Sequence, residues 1–482
     1  MSLKIPWSIF LTSAFAIAHG AEPSIRIHGQ AWMDYGRIVN AADTVVNVLN
    51  PDNILNYNGN SMQGLGAQFT AVADLSENLE SAFGFGVIKA SHAEGSGQYK
   101  FMMISLFQNF VTQSRLTWYH GDKSDPNLSL TVGGFPYDYN PDVKNLGLYL
   151  LRGSVYPGIL MGGFGDFNTD SSKSTLLGLK AHHAIGNFSQ DLILNSERDI
   201  PPTFDWSLAY FARYSLGALT LGGGVNFYRL IPYNAALETP GKDTNLVNGS
   251  DRAHYLEVDN SNPALPDTTF FSFQGTKVVG TISLDFKELF GKEESMGPDD
   301  MKLYAEAAIL GLKNYGRAYG KISERIPVMA GFNIPTFGIL NHVSLEVEYY
   351  GARYRNDLAL VGYNDVVADW TTQRHLQPSP KPVTDADYHI DSLGYFRKAT
   401  GDSVYVRGTA SDKENVTQDN WKWSLYMDKV VAKHVQFIAQ VANDHFRPRP
   451  VASGLITSEG GTAEAFASPK DWYYMLRVGY FF

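Results

Sequence analysis

Apolar and polar residues alternate with a period of two through most of the chain. Ile25, Ile27, Gly29, Ala31, Met33 and Tyr35 interleave with Arg26, His28, Gln30, Trp32 and Asp34, which predicts a strand with one apolar and one polar face. At the other end Trp472, Tyr474, Leu476, Val478, Tyr480 and Phe482 share one face, and Tyr473, Met475, Arg477, Gly479 and Phe481 the other. The same alternation sets Leu303, Ala305, Ala307 and Ile309 against Lys302, Tyr304 and Glu306, and Val343, Leu345, Val347 and Tyr349 against Ser344, Glu346, Glu348 and Tyr350. Two glutamates on one strand face call for water or cations beside them. Trp421, Trp423, Leu425 and Met427 likewise alternate with Lys422, Ser424, Tyr426 and Asp428.

Sixteen such segments are legible, near 25–37, 64–74, 79–90, 113–120, 128–135, 174–183, 187–196, 204–215, 217–230, 276–287, 301–312, 325–334, 340–353, 420–428, 434–446 and 470–482. Short links such as Leu75 to Asn78, Ala184 to Gly186 and the turn at Leu216 alternate with long ones at 38–63, 91–112, 136–173, 231–275, 354–419 and 447–469. The segment 197–203 is a brief member of the long set and 288–300 a stretched member of the short set. An even strand count, short turns on one side, long loops on the other and aromatics near strand ends predict an all-β fold, a transmembrane antiparallel β-barrel. A further hairpin around Ser403 to Thr409 would make the count eighteen. A soluble sandwich shares the alternation but points its apolar face inward.

The first twenty residues do not alternate. Lys4 precedes an apolar run from Ile5 to Ala18, and small residues stand at Ala18 and Gly20, the layout of a cleavable signal peptide over 1–20. The expected organisation is that peptide followed by one barrel domain over 21–482. No later apolar run reaches the length of a spanning helix. Composition then narrows the chemistry. The chain of 482 residues has a net charge of −10 and no cysteine, which argues against a nucleic-acid partner and excludes thiol catalysis and Cys-ligated metals.

With these features assembled, the chain resembles a Gram-negative outer-membrane porin over essentially its whole mature length. The signal peptide, the opening strand Ile25 to Arg37, the sixteen-strand rhythm and the closing Arg477-Val478-Gly479-Tyr480-Phe481-Phe482 carry the resemblance. It implies an outer-membrane location, contact with outer-membrane lipid, passage of small hydrophilic solutes, and a terminal Phe482 read by the barrel-assembly machinery. It also implies a family habit of homotrimers and no cofactor. Gly133-Gly134-Phe135 looks porin-like as well, beside an ordinary turn or bulge reading.

In general porins the third external loop folds inward and narrows the barrel, and here that loop is 136–173. Pro136, Pro141 and Pro157 would stiffen it, Asp138, Asp142, Lys144 and Arg152 would supply charge, and Tyr137, Tyr139, Tyr149 and Tyr156 would line an eyelet. Opposite it, Arg26, Arg115, Arg213 and Arg477 are candidates for a basic ladder, with pairing to neighbours such as Glu80 or Asp205 as the plainer reading. Further wall candidates are Asp34, Tyr119, Lys302, Tyr304, Glu306, Glu346, Glu348, Tyr350 and Lys422. Their mixed signs predict weak ion selectivity, tilted toward cations by the net charge.

Two other functions fit the pattern. Trp32, Tyr119, Tyr304 and Tyr426 would form a stacking track in a sugar-specific channel, and the long acidic loops 231–275 and 354–419 would suit a surface adhesin or structural anchor. Enzymatic chemistry has the least support. His182 and His183 point to opposite faces of a strand and so do not share a metal. Asp385, Asp387 and Asp391 begin a calcium-loop spacing, but Ile390 and Phe396 stand where glycine and glutamate are required. The sequence contains no nucleophile elbow, phosphate loop or zinc-protease helix motif.

Overall fold

The computed structural model describes residues 24–41, 58–96, 99–151, 174–196, 204–231, 274–291, 296–297, 299–313, 321–351, 421–446, 466 and 468–482, with short paired segments at 45–46, 54–55, 254–259, 267–272, 388–390, 395–398 and 404–407. The expected signal peptide 1–20, Arg152, Tyr156, Pro157, the three aspartates Asp385, Asp387 and Asp391 of the calcium-loop spacing, and most of loops 231–275 and 354–419 lie outside them. Sixteen strands form one closed barrel. They are β1 (Ser24–Asn40), β2 (Ser61–Ser76), β3 (Leu79–Ser96), β4 (Tyr99–Asp122), β5 (Asp125–Tyr137), β6 (Ser174–Ile185), β7 (Phe188–Ser196) and β8 (Trp206–Leu216), then β9 (Leu219–Ile231), β10 (Gly275–Asp285), β11 (Lys302–Ile309), β12 (Pro327–Asn333), β13 (His342–Tyr350), β14 (Trp421–Val431), β15 (Val435–Asn443) and β16 (Trp472–Phe481). Each pairs antiparallel with the next in sequence, and β1 closes on β16 from Gln30 opposite Phe481 to Asn40 opposite Trp472.

Val404–Arg407 does form a strand, but in a separate three-stranded sheet with Tyr388–Ile390 and Tyr395–Lys398, so the barrel keeps sixteen strands. The stretched turn before β11 contains a short helix α1 (Phe286–Phe290), capped by Asp285 Oδ1, which accepts from the amides of Lys287 and Glu288 at 2.9 and 3.3 Å. Gly291, at φ 62°, ends the helix in the left-handed conformation that closes such turns.

The direction of the alternation separates a membrane barrel from a soluble one. Met33, Leu130, Leu192, Ile282, Leu345 and Leu476 lie on strands around the circumference and are exposed on the outer face. Their neighbours in sequence, among them Asp34, Ser129, Ile193, Glu346 and Met475, are buried inside. An apolar belt that encircles a closed barrel has no aqueous rationale and matches the lipid-facing surface of an outer-membrane barrel.

The interior is not uniformly wet. One buried apolar cluster joins Phe135, Tyr139, Val143, Leu146, Tyr149 and Leu150 to Phe211, Tyr304 and Met329 on the wall. A second joins Ile38, Tyr426, Ile438, Phe446, Phe466 and Tyr473. Both clusters recruit residues of external connections, which therefore turn into the barrel instead of standing above it.

Candidate functional site, a loop folded into the barrel

The third external connection leaves β5 at Tyr137 and enters the lumen. Asp138 starts the descent by accepting from the Asn140 amide at 2.9 Å, a local turn suited to an Asx side chain. Asp142 reaches the wall beside the short connection between β10 and β11, where Ser283 Oγ donates to it at 2.7 Å and Lys302 Nζ approaches at 3.4 Å. The chain then turns back through Gly147 at φ 86° and Leu148 at φ 60°. Two successive residues of positive φ are costly for a leucine, and here they present the Tyr149 amide to the wall.

Three wall carboxylates hold this loop. Glu346 accepts from three successive backbone amides, Lys144 at 2.6 Å, Asn145 at 2.9 Å and Leu146 at 2.8 Å, and from the Tyr304 hydroxyl at 2.9 Å. Glu306 accepts from the Tyr139 hydroxyl at 2.6 Å, the Tyr149 amide at 2.7 Å and Asn140 Nδ2 at 3.3 Å. Glu348 accepts from the Tyr149 hydroxyl at 2.7 Å and from His445 Nε2 at 2.6 Å. All three are at most 1% exposed. The sequence pattern assigned Glu346 and Glu348 to water or cations. Loop donors take that place instead, because a nest of converging amides solvates a buried carboxylate as water would. Burial, and next the adjacent Glu348, push the Tyr149 phenol well above its ordinary value, so it remains a donor.

Register explains why these side chains meet. Tyr304, Gly331 and Glu346 are directly opposite one another on β11, β12 and β13, and Glu306, Met329 and Glu348 form the adjacent rung. Tyr304 lies across Gly331 to reach Glu346: a Cβ at Gly331 would sit 2.2 to 2.6 Å from the ring and hydroxyl of Tyr304. Gly331→Ala is therefore expected to displace the tyrosine, remove one donor from Glu346 and destabilise the barrel by about 1–3 kcal/mol. Urea unfolding in detergent measures this, and a variant of unchanged midpoint would mean that the tyrosine has room to move.

The other candidates are distributed around the wall. Arg26, largely exposed, lies 3.3 Å from Asp74 and 3.6 Å from Glu80, and Arg115 Nη2 lies 3.0 Å from Glu80. Lys123 pairs with Asp74 at 2.9 Å. Arg213 donates to the Tyr139 carbonyl and so grips the loop itself. Asp205 pairs with Arg229 at 2.6 Å, not with a ladder arginine. Arg477 is buried against Asp34, with Nε to Oδ1 at 2.6 Å, and so closes the seam between β1 and β16 without facing open water. Asp138, Asp142 and Lys144 are partly exposed, the last two at the loop tip.

His182 Nδ1 lies 2.8 Å from Asp191 on the inner face, whereas His183 Nδ1 accepts from Gln190 at 3.1 Å on the outer face. Asp191 also accepts from the Tyr137 hydroxyl at 2.9 Å, and Lys180 Nζ stands 5.7 Å from the Tyr137 ring centroid. Trp32, Tyr304 and Tyr426 are packed away at 1 to 3% exposure, which removes three of the four rings of the expected stacking track. Sequence reasoning missed His445, Asp444 and Asn145, which complete the loop's attachment. The alternation carries Asp444 and His445 as the end of a strand expected over 434–446, whereas β15 stops at Asn443.

No family model matches the sequence, and no curated protein matches it. Among solved structures, an engineered triple variant of Rhodopseudomonas blastica porin superposes with a TM-score of 0.40 at 8% identity, over 95% of this chain and 100% of that one. Pseudomonas putida OprB superposes at 0.44 and 11% identity, over 95% of this chain and 94% of its own. The first of these neighbours is a porin by name. The strand pairing, not the superposition, establishes the closed sixteen-strand barrel in this chain.

Proposed function

We propose that the protein is an outer-membrane porin through which small hydrophilic solutes and ions diffuse passively, with the loop at 138–151 narrowing the passage. The carrying observation is that loop, fastened inside a sixteen-strand barrel whose outer face is apolar around its circumference. A barrel of this strand number encloses more volume than wall side chains fill, unlike one of eight. With Glu306, Glu346 and Glu348 enclosed by loop donors, the charges left to meet a solute carry both signs: Arg26, Arg115, Lys123 and Lys180 beside Asp74, Glu80, Asp191 and Asp142. That balance supports weak selectivity, and the reading is of transport without catalysis. Export through the signal peptide and recognition of Phe482 by the assembly machinery belong to the same reading. The Phe482 backbone pairs with Gly29, with N to O distances of 3.0 and 2.8 Å, while its side chain stays exposed.

A second reading has one specific observation in its favour. The apolar cluster between loop and wall, and the second around Phe446 and Phe466, fill part of the lumen, as expected of an occluded barrel used as an anchor. Single-channel recording of the refolded protein in a planar bilayer, under a salt gradient, separates the two. Steady ohmic steps with a reversal potential near zero are expected. Silence from protein that retains the compact, heat-modifiable mobility of a folded barrel would replace the porin reading with the occluded one.

A further inference from the structure

Two acids and a histidine connect the constriction loop to a second external loop. β15 ends at Asn443, and the chain turns inward, with the Phe446 amide donating to Asp444 Oδ1 at 2.9 Å. The other oxygen of Asp444 accepts from Asn145 Nδ2 of the third loop at 2.7 Å and from the Tyr473 hydroxyl at 2.7 Å. His445 Nε2 meets one oxygen of Glu348 at 2.6 Å while Tyr149 of the third loop donates to the other at 2.7 Å. A carboxylate only accepts, so Nε2 is the donor. The far arm of the same external loop is fixed as well. Lys422 Nζ donates to the Phe466 carbonyl at 3.0 Å, and Phe446, Phe466 and Tyr473 pack with centroids 5.4 to 6.0 Å apart.

We infer that Asp444 and His445 are positioning residues for the constriction: they act through Asn145 and Glu348 to hold the third loop at its seat, so that the last external loop sets the shape of the passage. Glu348 is fully buried, and a buried carboxylate with one donor withdrawn leaves its remaining contacts weaker and its surroundings open to water. Asn145, equally buried, loses the Asp444 oxygen to which its side-chain amide donates when Asp444 is cut back. The two contacts enter the loop four residues apart, on either side of the Gly147-Leu148 reversal, which is the point where its conformation is most costly to maintain. The consequence for ion flow rests on the porin reading. The attachment itself does not.

The test compares Asp444→Ala and His445→Ala with Asp444→Asn and His445→Gln, whose amides retain an acceptor for Asn145 and a donor for Glu348. Backbone amide exchange is followed across 143–150 in detergent, in protein confirmed as a folded barrel by its heat-modifiable mobility. The alanine variants are expected to exchange about tenfold faster in this segment with the barrel strands unchanged, and the amide variants to return toward the parent rate. In bilayers the alanine variants show open-channel current noise that the amide variants lack. Exchange at 143–150 within twofold of the parent in both alanine variants overturns the inference. So does failure of His445→Gln and Asp444→Asn to restore it, which would leave only a packing role. A parent protein that conducts no current fails the porin reading alone, since the exchange comparison still decides the attachment.

Discussion

Replacing Glu346 by alanine is expected to free the loop at 138–151 and, on the porin reading, to raise the unit conductance. The carboxylate receives three consecutive backbone amides and a phenol. Hydrogen bonds to a charged group contribute about 1.5–3 kcal/mol each, so the three amide bonds together favour the attached loop by roughly 5 kcal/mol, more than a thousandfold in the ratio of attached to detached. The alanine variant strands those amides beside an apolar wall, and the loop regains hydrogen bonds only by moving into water. Glu346→Gln has a smaller effect, because its amide oxygen still accepts, without the charge, and its NH₂ faces amides that also donate. The order of conductance is therefore Glu346→Ala above Glu346→Gln above the parent, with exchange of the 144–146 amides following the same order. Equal conductance in all three, with those amides still protected, would show that the apolar cluster of Val143, Leu146 and Tyr149 holds the loop without the carboxylate.

The barrel was legible in the sequence and the clasp was not, for different physical reasons. A strand in a membrane wall declares itself locally: Leu345 and Val347 outside, Glu346 and Glu348 inside, read from a period of two within nine residues. The short turns are equally local, which is why the strand ends beside them fall within about three residues of their expected places. The far ends are less local: the long link expected over 91–112 is instead strand, because β3 runs to Ser96 and β4 starts at Tyr99, paired across Ser96 and Tyr99. The inward course of the third loop is implied by the resemblance to general porins, and Pro136, Pro141 and its tyrosines only fit it. What it binds depends on groups about two hundred residues away in the chain, and the principal donors to Glu346 are backbone amides, which every residue but proline possesses. The sequence marks only the acceptor. Gly331 is a similar case. Its meaning appears once Tyr304 and Glu346 are known to stand opposite it on either side, and register across three strands does not follow from the pattern of any one of them. The arginines show the converse. Arg26, Arg115 and Arg477 share an inward face, yet Arg477 is consumed by Asp34 because strand closure brings the two ends of the chain side by side.

That closure gives the second large effect, on stability. Asp34 and Arg477 are paired residues of β1 and β16, joined by two bonds of 2.6 and 3.0 Å, and both are about 5% exposed. Arg477 also stands over the Trp32 ring, 5.1 Å from its centroid. The opposing positions on β2 are Gly66 beside Trp32 and Gly64 beside Asp34; a Cβ at Gly66 would fall 2.2 Å from the indole, so the cluster fills space that glycines leave. Asp34→Ala removes one partner and keeps a buried guanidinium without its counter-charge, a change that costs about 3–5 kcal/mol. Replacing both residues, Asp34→Leu with Arg477→Met, removes the desolvated charges together and is expected to recover most of that loss. Urea midpoints of the three proteins in detergent measure the difference. The single variant should also refold more slowly, because the β1–β16 seam joins the most distant parts of the chain and must repay the largest loop-closure entropy. If Asp34→Ala matches the parent in midpoint and rate, water reaches Arg477 in the lumen and the pair contributes no more than a surface ion pair. If the double variant is as unstable as the single, the seam depends on the specific bidentate geometry, and no apolar packing of similar volume substitutes for it.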